Sequence, residues 1–232
     1  MKTLITGVGS CGTTFLAGLF MELGCDLGDS LNAIERPRGM EHLPLAQLLT
    51  DWDMQYSPYP LPAYGTKHGD IQGAHIDEFF RFRDQMPAPY IKAVLESIPE
   101  VVKSPLMPQW LHTWLRAGGI RPEVVIVCTR PLRDTAMSFT RETKWLDYYS
   151  LYTWQAMRSG LLWDTIQETH IPHVTVEYPR MIYDAEYLWE KIDPLTVQTA
   201  SLDTVLGASL IEFTKAHTSI AKPDLVGNYG NS

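Results

Sequence analysis

The passage Thr3-Leu4-Ile5-Thr6-Gly7-Val8-Gly9-Ser10-Cys11-Gly12-Thr13-Thr14-Phe15 constrains this chain more than any other. A short apolar strand over residues 2–6 runs into glycines and hydroxyls, and these run into the helical pattern of residues 13–23. A strand that turns directly into a helix brings backbone N–H groups and the positive end of that helix to one sheet edge, a seat for phosphate or sulfate. The glycines let the backbone close around an anion, and the Thr13 and Thr14 hydroxyls can donate to it. Gly7 and Gly12 keep the spacing of the nucleoside-triphosphatase loop G-x-x-x-x-G-K-[ST], but Thr13 stands where the lysine would reach the outer phosphates. Such a loop can hold an anion and is poorly equipped to cleave ATP. A tight turn without a ligand is the plainer alternative.

The same rhythm continues along the chain. Further strands are expected at 101–103, 123–128 and 173–177, with helices at 42–50, 110–117, 132–143, 147–169, 185–192 and 202–216. Alternating strands and helices predict an α/β fold, a three-layer sandwich around a central, mostly parallel sheet. The 232 residues contain no repeat or low-complexity tract, so a single domain over 1–232 is expected. Residues 51–90 read as irregular, aromatic and proline-rich, with a helix over Asp77 to Gln85. Their rings suit either an acceptor pocket or core packing.

Ligands of parallel sheets bind beyond the carboxyl ends of the strands. Here those ends carry the Gly7–Thr14 loop, then Lys103-Ser104-Pro105, then Thr129-Arg130-Pro131-Leu132-Arg133-Asp134 with Ser138 following. A magnesium-dependent phosphohydrolase would place an aspartate there. Lys103 and Arg130 instead suggest anionic groups held by cations and amides, without a metal. Taken singly, Arg130 could be paired with Asp134, and Lys103 could be a solvated strand terminus.

The net charge of −8 argues against general nucleic-acid binding. Cys11, Cys25 and Cys128 suit neither a disulfide framework nor a zinc site, and reduced thiols fit a cytoplasmic location. The histidines, including His68, His75, His170 and His173, lack metal-ligand spacing. No apolar run approaches the length of a membrane span.

Together the Gly-x-x-x-x-Gly-Thr-Thr loop and the Arg130/Ser138 pair resemble the P-loop-like sulfotransferases that use 3′-phosphoadenosine 5′-phosphosulfate (PAPS). Val102-Lys103-Ser104-Pro105 resembles the family's lysine-bearing strand end. Val176-Glu177-Tyr178-Pro179-Arg180 resembles its Tyr-Glu-containing strand end, and Pro37-Arg38-Gly39-Met40-Glu41 a glycine-then-acid stretch of some bacterial members. The resemblance spans Thr3 to about Ile192. It implies sulfonate transfer from PAPS to a hydroxyl or amine of a small-molecule, glycan or lipid acceptor, with adenosine 3′,5′-bisphosphate (PAP) released. It implies a donor loop of Ser10, Cys11, Gly12, Thr13 and Thr14, with Phe15 as a stacking platform for adenine. Arg130 and Ser138 would hold the 3′-phosphate, and Tyr178 would lie near the nucleotide. Lys103 is expected at the sulfonate or bridging oxygen. Glu41 is the first choice of base, with Glu35 and His42 as rivals. Residues 51–98 would form an acceptor-side insertion or lid.

Several positions depart from the family. Ser10 stands where many members carry Lys or Arg, and Pro105 where the cytosolic branch often has a histidine base. Phe15 replaces a tryptophan. The basic loop that clamps the 3′-phosphate is not recognisable, with Lys222 and Asn228-Tyr229-Gly230 as its only stand-ins. A non-catalytic nucleotide-binding descendant of the fold and a divergent P-loop kinase are the competing readings.

Overall fold

The computed structural model describes residues 1–28, 40–56, 91–143 and 148–196. In chain order they form β1 (Thr3–Thr6), α1 (Thr13–Glu22), α2 (Leu43–Tyr56), α3 (Lys92–Leu95), β2 (Val101–Lys103), α4 (Met107–Arg116) and β3 (Val124–Thr129). Then follow α5 (Leu132–Thr143), α6 (Tyr148–Thr169), β4 (His173–Glu177), α7 (Arg180–Tyr183) and α8 (Ala185–Thr196). The four strands are ordered β2-β1-β3-β4, and every neighbouring pair is parallel. All four therefore deliver their carboxyl ends to one rim.

The alternation of strand side chains divides the interior into two apolar cores. Leu4, Val102, Val125 and Val127 pack with residues of α2, α4 and α6. Ile5, Val101, Ile126, Cys128 and Val176 pack with α1, α7 and α8. Helices thus cover both faces, as continuous β-branched strands require. Among the described residues no helix is long and apolar enough to cross a membrane.

Two helices differ from their sequence expectation for identifiable reasons. The spacing predicts α2 over 42–50 and an irregular chain after it, yet the helix runs on to Tyr56. Leu45, Leu49, Trp52 and Asp53 share its buried side, and the Trp52 ring meets Trp110 edge-on at 5.8 Å. Burying a large apolar ring contributes about 3 kcal/mol, more than the ~0.7 kcal/mol by which aspartate disfavours a helix. Trp52 is therefore a core residue and does not line an acceptor pocket. Helix α4 begins at Met107, three residues before the expected Trp110. Pro108 sits in its first turn, where a missing N–H costs nothing, and the Ser104 hydroxyl accepts from Met107 N at 3.3 Å.

The expected helices at 77–85 and 202–216 lie outside the described residues, as do Glu35, His68, His75, Lys222 and Asn228-Tyr229-Gly230. So does most of the 51–98 segment, of which only 51–56 and 91–98 are described.

Candidate functional site

The exit of β1 is shaped by backbone. Gly12 adopts a left-handed conformation, φ 86°, immediately before α1. An alanine Cβ there would fall 2.0 Å from Met181 Cε and 2.7 Å from Tyr178 Cδ2, so only glycine admits the ring that covers this turn. The first turn of α1 has neither a side-chain cap nor an acidic residue. A helix start of this kind suits an incoming anion. Thr13 is buried and Thr14 half-buried.

Arg130, at the exit of β3, turns back over this loop. Its Nη1 donates to the Ser10 carbonyl at 3.0 Å, and its guanidinium lies 4.8 Å from the centre of the Tyr178 ring. No ion pair links Arg130 to Asp134, and among the described residues no carboxylate compensates its charge. The loop, Arg130 and Tyr178 thus meet, although they come from three different strand exits. Ser138 lies about two turns into α5 and is half-buried.

The exit of β2 brings Lys103 and Glu41 together. Lys103 Nζ stands 2.7 Å from Glu41 Oε1, with side chains only 3% and 16% exposed. The Thr6 hydroxyl donates to the Ser104 carbonyl at 2.6 Å, fastening this exit to that of β1. His42, the neighbouring rival, is buried, and desolvation lowers its pKa, opposed by a hydrogen bond to the backbone of Ser97. Ser97 precedes β2, whereas Glu41 engages the residue that ends it. The structure therefore brings Glu41 to the site rim and holds His42 at the other end of the strand.

Two loop residues turn inward. Phe15 is 5% exposed and packs in the apolar core beside α1, which leaves little ring surface for an adenine. The Cys11 side chain lies beside Gly7, so only its backbone can serve a ligand. Its thiol hydrogen-bonds that of Cys128, and this contact together with burial pushes the Cys128 thiol well above the usual range, while Lys103 acts in the opposite sense. Burial also raises Cys25. Buried thiols react slowly. A chromogenic thiol reagent should therefore label Cys25 alone and slowly in the native protein, and all three cysteines after unfolding in urea. Rapid native labelling of Cys11 would contradict this packing.

The motifs give no hint of Arg158, which lies on the buried side of α6 with Leu151, Trp154, Gln155 and Leu162. Its Nη2 donates to the Pro105 carbonyl, and its guanidinium stacks 4.3 Å from the Trp154 ring centre. Burial lowers its pKa to about 10, opposed by the Asp53 carboxylate and by Cys11. Asp53, itself fully buried, also accepts from Gln109 Nε2. The available signal is a cation inside a mainly apolar stripe.

Among the described residues no group of three or more His, Cys, Asp or Glu could hold a metal ion. The chain matches no protein-family model, no curated protein and no solved structure.

Proposed function

We propose that the chain moves a sulfonate group from PAPS to a hydroxyl or amine acceptor and releases PAP, on a P-loop-like sulfotransferase architecture. The observation that carries this reading is the Arg130 guanidinium lying on the Ser10 carbonyl with no carboxylate among the described residues to neutralise it. A cation held ready beside an acid-free helix start is an arrangement for a multiply charged anion. The loop amides and Thr13 hold the 5′-phosphate, and Arg130 with Ser138 holds the 3′-phosphate, which selects PAPS over ATP. Tyr178, packed between Gly12 and Arg130, borders the nucleotide; it takes over from Phe15 as the aromatic surface at the rim.

Lys103 stabilises the negative charge that gathers on the departing phosphate oxygen as its bond to sulfur breaks. Glu41 accepts the proton of the acceptor as the new sulfur–oxygen or sulfur–nitrogen bond forms. The residues that could perform these two tasks are already within 2.7 Å of each other.

A non-catalytic binder of the same nucleotide is the second reading. The Lys103–Glu41 pair favours it to this extent, that each charge already satisfies the other.

Thermal melting separates the readings. PAP at a hundred times its dissociation constant should stabilise the protein by about 2.7 kcal/mol. Magnesium-ATP should do far less. Arg130→Ala should remove the PAP response while leaving the melting temperature of the free protein nearly unchanged, since its contacts among the described residues are one carbonyl and one ring face. A shift with magnesium-ATP but not PAP would favour the kinase reading. Transfer of label from PAPS then distinguishes an enzyme from a binder.

A further inference from the structure

A second arginine lies beneath the proposed site, and its position is difficult to explain by stability alone. Arg158 is 1% exposed, on a helix side where Leu151, Trp154, Leu162 and Ile166 are buried with it and Gln155 is the other large polar residue. Burying a guanidinium is expensive, and an apolar side chain of similar size commonly serves a core as well or better. What an apolar residue could not do is donate to the Pro105 carbonyl. That carbonyl lies two residues beyond Lys103, where β2 has ended and α4 has not begun.

The other contacts of this exit have the same consequence. Ser104 N donates to Ile5 O at 3.0 Å, the Thr6 hydroxyl to Ser104 O at 2.6 Å, and Met107 N to Ser104 Oγ at 3.3 Å. They tie the exit to β1 and to α4. Among the described residues Arg158 ties it to α6, and α6 packs along α4 and α5. The guanidinium is held in turn by the Trp154 face on its own helix, while Asp53 of α2 supplies the counter-charge. The backbone leaving Lys103 is thereby fixed from both neighbouring elements of the sheet face.

We infer that Arg158 is a positioning residue, which fixes the exit of β2 through the Pro105 carbonyl and so sets where Lys103 presents its ammonium group. The kinetic consequence rests on the sulfonate-transfer reading; the mechanical one does not. A lysine at 158 would keep the charge but lacks the planar fork that can stack on Trp154 and donate sideways to a carbonyl.

The test uses the full chain carrying Asp53→Asn with Arg158→Met. This pair removes the guanidinium without leaving a buried carboxylate charged and alone, and the asparagine keeps an oxygen for Gln109. Hydrogen exchange should quicken by about tenfold or more at Ser104 and Met107, with Leu4 and Ile126 unchanged, as expected for local rather than global opening. Turnover of PAPS should fall by about 100-fold, the scale of a misplaced reacting group, with PAP affinity retained. Arg158→Lys should lie between the two in both readouts.

Exchange at Ser104 and Met107 equal to that of the parent overturns the inference. So does turnover by the double variant within about twofold of the parent, since no transition-state contact would then have been lost. A parent protein that binds PAP but transfers nothing refutes the proposed activity, and exchange alone then decides the role of Arg158.

Discussion

Lys103→Met is expected to lower the rate of the proposed sulfonate transfer by about 10²–10³-fold, the loss usual when one preorganised donor to a developing anion is removed. PAP binding should survive, because the loop and Arg130 proposed to grip the phosphates are untouched. Stability responds separately. The substitution leaves Glu41, 16% exposed, without the ammonium group 2.7 Å away. Breaking one side of a buried pair costs about 3–5 kcal/mol. Lys103→Met combined with Glu41→Gln removes both charges and should recover most of that stability while recovering no transfer. Urea melts and single-turnover transfer from PAPS, measured on the parent, both single variants and the pair, provide the comparison. If the pair regained turnover along with stability, Lys103 would be a structural cation and the non-catalytic reading would gain. Glu41→Gln alone should depress turnover by about 10²–10⁴-fold if the carboxylate takes the proton. A Glu41→Gln protein with normal turnover would remove it from the mechanism.

The framework of the fold was readable because its strands are nearly pure patterns. Val124–Thr129 is continuous and β-branched, and it differs by one residue from the expected 123–128. Leu132–Thr143 matches the expected helix end for end, with Pro131 placed just before it. The pattern fails where a charged residue continues a helix into the core. Asp51-Trp52-Asp53 reads as polar punctuation, yet Asp53 is buried and bonded to Gln109, and α2 runs through it. A tertiary partner supplied by α4, fifty-six residues further on, cannot be read from local spacing.

The site divides in the same way. Glycine and cation at a strand exit carry chemical meaning by type and place, so the loop, Lys103 and Arg130 stand out in the sequence alone. Their mutual geometry does not. That Arg130 would lie on the Ser10 carbonyl, with Tyr178 beneath it, depends on β1 and β3 being neighbours and on β4 lying beside β3. Phe15 illustrates the opposite error. An aromatic residue just after a phosphate loop suggests stacking, but a helix that also covers a sheet face sends its third residue into the core. A lone cation on a long helix is ordinarily assigned to solvent, and the mainly apolar residues around Arg158 are what mark it as buried.

The two glycines of the loop should fail in different ways when changed to alanine. At Gly7, φ 155°, a Cβ would lie 2.3 Å from the carbonyl oxygen of Cys128 and 2.7 Å from Cys11 Sγ. The carbonyl belongs to β3, which is bonded on both sides and cannot yield. Overpacking of this kind costs about 3 kcal/mol. For a chain of 232 residues that corresponds to a fall of roughly 6–12 °C in melting temperature. At Gly12, φ 86°, the nearest obstruction is the end of the Met181 side chain, which can swing aside, and the next is the Tyr178 ring. The left-handed backbone adds about 1–2 kcal/mol for alanine. Gly12→Ala should therefore cost less stability than Gly7→Ala but displace Tyr178 from between the loop and Arg130. PAP affinity should fall by at least about tenfold, some 1.4 kcal/mol of binding, in a protein that still folds. Calorimetric titration of both variants with PAP, at a temperature where each is native, measures the difference. Parent-like PAP affinity in Gly12→Ala would mean that the turn, the ring and the guanidinium are packed together for the fold alone.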